Sequence, residues 1–210
     1  MEKNSHIDPK AVVKKLHEET ELAIAMRRMS EKFTYDERIN DSFHDTYEAH
    51  GFNLVQASLV YVLALTLMRI HDTSERSDIY SLRNLFKEIL PTSEETNRLG
   101  DRASLFEEAR NQYKQLRESH LLSRTKTLRD RFIAHAGMLT GEEQLPKYQY
   151  LDDFTDKTVS LMEKLSISVL DTHPSYDEVD DIWKKYASKF FDSLIQGQLV
   201  ANTKPGQVEL

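Results

Sequence analysis

The chain has no cysteine. Disulfides, thiolate zinc sites and a cysteine nucleophile are therefore excluded together. Glycine and proline are scarce, 6 and 5 among 210 residues, and long stretches contain neither. A β-sandwich needs frequent turn residues, so this profile, with 30% charged residues, favours helices instead. There is also no uninterrupted apolar run of the roughly 18 to 20 residues that a membrane span requires. The nearest approach, from Leu54 to Ile70, is broken by Gln56, Ser58, Thr66 and Arg69 and reads as a buried central helix, with no membrane partner. The start, Met1-Glu2-Lys3-Asn4-Ser5, lacks the basic-then-apolar layout of a signal peptide, which makes a cytoplasmic location the expectation.

What is present is charge, unevenly placed. The formal net charge of −7 argues against a surface coated for nucleic acid. Between residues 110 and 131, however, Arg110, Lys114, Arg117, Arg124, Lys126, Arg129 and Arg131 face only Glu118 and Asp130, so that 7 − 2 gives +5. Such a stripe suits an anionic substrate, although an ordinary solvated helix face has the same composition.

Helix signals order the rest. Asp8-Pro9 pairs a side-chain acceptor with a proline at the first helical position, predicting a helix to about residue 33. Residues 34–49 are polar and read as irregular or briefly helical. A second long helix is expected over 52–70, apolar around most of its circumference and hence central. A shorter helix over 78–90 stops at Pro91, before a polar loop over 91–100. A long helical stretch follows over 103–136, with a break expected near residues 119–123 and Gly137 as terminator. Further helices are expected over 151–170 and, after Pro174 and a Ser175 cap, to about Gln196. The reading is all-α: one up-and-down helical bundle over 1–196 with an accessory C-terminal helix, then a flexible tail over 197–210.

The chemistry concentrates in Arg129-Asp130-Arg131-Phe132-Ile133-Ala134-His135. Arginine keeps its charge at any working pH and forks onto phosphate oxygens, while histidine exchanges a proton near neutrality. Together they can attack a phosphodiester without a metal. The small residues of Ala134-His135-Ala136-Gly137 let another backbone approach closely. The plainer alternatives are an arginine paired with a surface carboxylate and a histidine that caps free carbonyls at a helix end.

Arg129, a polar residue after it, and His135 beyond five intervening positions resemble the signature of the HEPN superfamily (higher eukaryotes and prokaryotes nucleotide-binding domains). The wording Leu128-Arg129-Asp130-x-x-Ile133-Ala134-His135 is most similar to its abortive-infection AbiU-like branch. Leu67-Met68-Arg69-Ile70-His71-Asp72 and Ser81-Leu82-Arg83-Asn84-Leu85 agree with that branch. The resemblance spans about residues 10–170. It implies a helical bundle and a metal-independent endoribonuclease, with no cofactor, of the kind found in phage defence and toxin–antitoxin systems. RNA is the implied substrate, a homodimer the implied assembly, and a cognate antitoxin an optional partner. It further implies catalytic roles for Arg129, His135 and Asp130. The alternative is a catalytically silent HEPN module that binds RNA, nucleotide or a partner protein. One departure stands out: antitoxin-regulated relatives often carry a modifiable tyrosine two residues after the histidine, where this chain has Gly137.

Ideal helix geometry pulls the other way. At about 100° per residue, Arg131 shares a face with His135, whereas Arg129 lies about 120° round. The family pattern nominates Arg129 as catalytic, which leaves Arg131, Lys126 and Arg124 as phosphate contacts. Arg69, His71 and Asp72 form a second polar knot and are expected as supporting residues behind the motif. His50 with His71-Asp72 also loosely resembles a metal-binding phosphohydrolase pattern, without a convincing fourth ligand. His6, His17, His44, His120 and His173 read as surface residues; Trp183, Tyr186, Phe190 and Phe191 read as packing or dimer contacts in preference to an RNA-stacking platform.

Overall fold

The computed structural model describes residues 8–43, 49–73, 80–89, 99–130 and 147–202. Every regular element among them is helical, and none is a strand. Helix α1 runs Pro9–Tyr35 and starts as expected, with the Asp8 carboxylate accepting from the Lys10 N–H at 3.0 Å. Helix α2 is Glu37–Phe43, α3 is Ala49–Ile70, and α4 is a single turn, Leu82–Asn84, that widens into a π-helical turn over Leu85–Ile89. After a 3₁₀ turn at Gly100–Arg102 come α5 (Ala103–Glu118) and α6 (His120–Leu128). The expected break falls at Ser119, whose extended backbone (ψ 154°) separates α5 from α6. Helix α7, Tyr148–Leu165, opens into a π-helical turn at Ser166–Leu170 and ends on Asp171 in the left-handed region. Helix α8, Tyr176–Asn202, continues beyond Gln196, where the flexible tail was expected to begin.

The centre of the bundle is α1, not α3. Helix α1 packs on α3, α7 and α8, and buries Val12, Val13, Leu16, Ala23, Ile24 and Phe33. Helix α3 divides in two. Its second half is interior, with Leu63, Ala64, Leu67, Met68 and Ile70 buried. Its first half leaves Leu54 69% exposed and also exposes Val55, and Val62 just past the midpoint is exposed as well. By length and composition α3 is the one helix among the described residues that could cross a membrane. The all-round apolar pattern therefore overstated its burial: composition records what a helix could bury, and neighbours decide how much it does.

The brief helix expected within residues 34–49 is α2, and it adds a second small core that the polar composition did not suggest. Ile39 and Phe43 of α2 pack with Phe33, Ala187 and Phe191. Phe191 is buried as expected, whereas Tyr186 and Phe190 are 57% and 46% exposed and touch only neighbouring rings of the same helix, Trp183 and Phe191, among the ring contacts of the described residues. His17 also departs from its surface reading, because its Nδ1 lies 2.6 Å from the Tyr176 hydroxyl.

One buried cation ties α1, α7 and α8 together. Arg27 is in the interior and pairs with Asp180 at 2.8 Å, with Asp156, and with Asp152 at 3.6 Å. Arg28 joins from the next position, its Nε donating to Asp180 at 2.7 Å. Burial alone would raise the Asp180 pKa; hydrogen bonds from Arg28 and Arg27 outweigh that and hold it below the ordinary carboxylate value. The Tyr148 hydroxyl donates to the Arg27 carbonyl at 2.6 Å, closing the clamp.

Candidate functional site

The site begins where α6 ends. Leu121, Leu122, Thr125 and Leu128 bury one face of α6, which fixes the helix and brings its C-terminus to a half-exposed position. There the backbone leaves α geometry, and Arg129 and Asp130 lie in a π-helical turn. Such turns recur at functional positions because the wider winding redirects side chains. For the face shared by Arg131 and His135, both outside the described residues, the sequence expectation stands unchanged. Arg129 Nε donates to Asp130 Oδ1 at 2.6 Å, and Nη2 lies 2.6 Å from the same oxygen. The carboxylate thus fixes one edge of the guanidinium, and both side chains stay partly open to solvent. Arg131 and His135 lie outside the described residues, as do Ala134, Ala136 and Gly137.

The basic stripe feeding this turn is partly engaged within the fold. The Arg124 guanidinium sits 4.5 Å from the Tyr150 ring centroid, Arg117 lies 6.0 Å from Tyr113, and Arg110 lies 5.2 Å from Phe106 while pairing with Glu107 at 2.6 Å. Ring faces attract these cations and also order them. Lys126, by contrast, is exposed and has no ion pair among the described residues.

The second polar knot does not hold together as one unit. Arg69 turns outward and pairs with Glu19 of α1 at 2.5 Å. His71 turns inward, wholly buried between the rings of Phe154 and Tyr113 at centroid distances of 4.7 and 6.2 Å. The Thr158 hydroxyl donates to the Phe154 carbonyl at 2.8 Å, so the contact of 2.9 Å between His71 Nε2 and Thr158 Oγ1 must use a proton on Nε2. Nδ1 then remains as a buried acceptor without a hydrogen bond. Burial pushes the His71 pKa down to about 3, so the ring stays neutral and serves no proton transfer near pH 7.

Asp72 has different neighbours. It shares the electrostatic surroundings of the buried Tyr113 phenol with Arg117 and Arg83. Burial raises the Tyr113 pKa, with Arg117 and Arg83 opposing and Asp72 adding to the shift. Arg83 is nearly buried and its Nη1 donates to Asn84 Oδ1 at 3.1 Å, on a turn capped by the Ser81 hydroxyl. Sequence reasoning quoted Ser81-Leu82-Arg83-Asn84-Leu85 but assigned no role to Arg83 or Asn84. The available signal was an arginine beside an asparagine inside an apolar frame, since buried charges rarely occur without a task or a partner.

The metal-binding alternative fails on distance. His50 opens α3 and His71 follows its last residue, so about 30 Å of helix separates them at 1.5 Å per residue. Among the described residues no group of three or more histidines or carboxylates could hold an ion.

The described residues form an all-α bundle, the fold class of HEPN-type domains, with the Arg129–Asp130 pair at the end of α6 and His135 following in the sequence. The family model for AbiU2, a HEPN family, matches residues 10–190, and the chain belongs to that family. No curated protein and no solved structure matches it. The family name ties the domain to abortive infection.

Proposed function

We propose that this chain is a metal-independent endoribonuclease acting in phage defence or as the toxin of a toxin–antitoxin pair, cytoplasmic and dimeric. The observation that carries the reading is the Arg129–Asp130 pair, held half-exposed, with His135 beyond five intervening residues from Arg129 in the sequence. In this reaction a ribose 2′-oxygen forms a bond to the adjacent phosphorus and the bond to the 5′-oxygen breaks. The products are a 2′,3′-cyclic phosphate and a free 5′-hydroxyl. His135 takes the proton from the 2′-hydroxyl, and the matching histidine of a second copy returns one to the leaving oxygen. Arg129, oriented by Asp130, stabilises charge developing on the phosphate oxygens. Arg131, Lys126 and Arg124 hold flanking phosphates. Regulation by modification of a tyrosine after the motif histidine is not part of the proposal, because Gly137 occupies that position.

The test is incubation of purified full-length protein with structured RNAs in EDTA. The expected products carry cyclic-phosphate ends and disappear in His135→Ala. Tight RNA binding without cleavage by the wild type would overturn the enzymatic reading in favour of a silent binding module. Cleavage that EDTA abolishes would overturn the metal-free mechanism.

A further inference from the structure

The outer face of α8 is the most exposed aromatic surface among the described residues. Ala187 and Phe191 anchor the inner face of this helix against Phe33, Ile39 and Phe43. Ile182, Tyr186 and Phe190, spaced four residues apart, consequently point outward with 46%, 57% and 46% of their surfaces exposed. Lys185 and Lys189 each precede one of the two exposed rings, and Lys184 lies beside them. All three lysines are exposed and none is ion-paired among the described residues. Residues 183–190 therefore carry +3 and no acid, in a chain whose net charge is −7. Trp183 stands edge-on to Tyr186, with ring centroids 5.7 Å apart. A shallow groove runs alongside, lined by Asp181, Lys184, Lys185, Ser188 and Lys189.

We infer that this face binds single-stranded RNA, with two bases stacked on Tyr186 and Phe190 and the intervening phosphates on Lys185 and Lys189. Alternation of ring and cation along one strip is what a single strand requires, because every base has a π face and every linkage a negative charge. A second copy fits poorly: a twofold contact would set the lysines of one copy against those of the other, and lysine is depleted from interface centres. An anionic membrane fits less well than RNA, since the aliphatic content of the strip is small and its exposed apolar surface is mainly two rings. The inference rests on the proposal that RNA is the ligand of this chain, but not on cleavage.

The chain's single tryptophan makes the strip testable. Full-length protein carrying His135→Ala, which leaves RNA intact, is titrated with a single-stranded uridine dodecamer. Trp183 emission and the anisotropy of labelled RNA are both followed. Saturable quenching is expected, with affinity falling by at least about 30-fold in the Tyr186→Ala/Phe190→Ala variant, which loses two stacked bases. Lys185→Gln/Lys189→Gln should flatten the log–log salt slope by about 1.4, at roughly 0.7 per phosphate contact on a single strand. Because all four side chains are exposed, unchanged helicity and melting serve as the folding control.

Wild-type affinity in both variants would overturn the inference. So would preferential binding of the strip to phosphatidylserine vesicles, or a dimer that dissociates on Tyr186→Ala. Wild-type protein that cleaves RNA while the strip variants bind normally would sink the strip and leave the ribonuclease standing. Strip-dependent binding without cleavage by the wild type would do the reverse.

Discussion

Arg129 and Arg131 differ in what each could contribute, and variants of single residues separate them. Arg129 is held by Asp130 before any substrate arrives, and a preorganised cation contributes most to the transition state. Arg129→Ala should therefore slow single-turnover cleavage by about 100- to 1,000-fold while RNA affinity changes little. Arg129→Lys should restore only part of the rate, because lysine keeps the charge and loses the planar fork. Arg131→Ala and Lys126→Gln should instead weaken binding and flatten its salt dependence by close to one unit each. If Arg131→Ala abolishes chemistry while Arg129→Ala stays near wild type, the assignment is reversed. Asp130→Asn adds a further check: it preserves the shape of the carboxylate but removes its charge, and should lower the rate in the same direction as Arg129→Ala.

At the scale of elements, the sequence was read well where a local signal decided the outcome. The Asp8-Pro9 start of α1 and the break at Ser119 both rest on backbone chemistry within a few residues, and both appear in the structure. Reading failed where neighbours distant in sequence decide. No local pattern says that Leu54 and Val55 of α3 stay exposed, or that Ile39 and Phe43 find Phe191 far along the chain. The π-helical turn at Arg129 and Asp130 is likewise invisible in composition. The basic stripe was legible as charge, but not the share engaged by the rings of Phe106, Tyr113 and Tyr150. The two halves of α3 can be compared directly. Leu63→Ala, in the closed core, should cost about 2–5 kcal/mol in denaturant unfolding. Leu54→Asp should change stability by no more than about 0.5 kcal/mol, as surface substitutions do. A large loss at Leu54 would mean that the first half of α3 is covered in solution.

For the whole molecule, the part-buried Asp180 and the buried His71 respond to acid in different ranges. Asp180, bound by Arg27 and Arg28, has its pKa held below the ordinary value. Its stabilising contribution is complete above the unfolded pKa of about 4 and is lost as pH falls through the lower folded value. His71 acts earlier. Unfolded, it titrates near 6.5; folded, burial holds it at about 3. Between those values the unfolded chain binds the extra proton, so stability rises with pH across the window and falls on acidification. The slope from one such group approaches about 1.4 kcal/mol per pH unit. His71→Phe removes the titration while keeping a ring between Phe154 and Tyr113, and Thr158 retains its bond to the Phe154 carbonyl. Urea unfolding of wild type and His71→Phe between pH 7 and 4.5 should therefore show the wild type losing stability relative to the variant as pH falls. The variant should be less pH-dependent by roughly one proton over that interval. Parallel curves would mean that His71 reaches solvent or finds a partner for Nδ1 in the folded chain, and that the buried neutral tautomer assigned above is wrong.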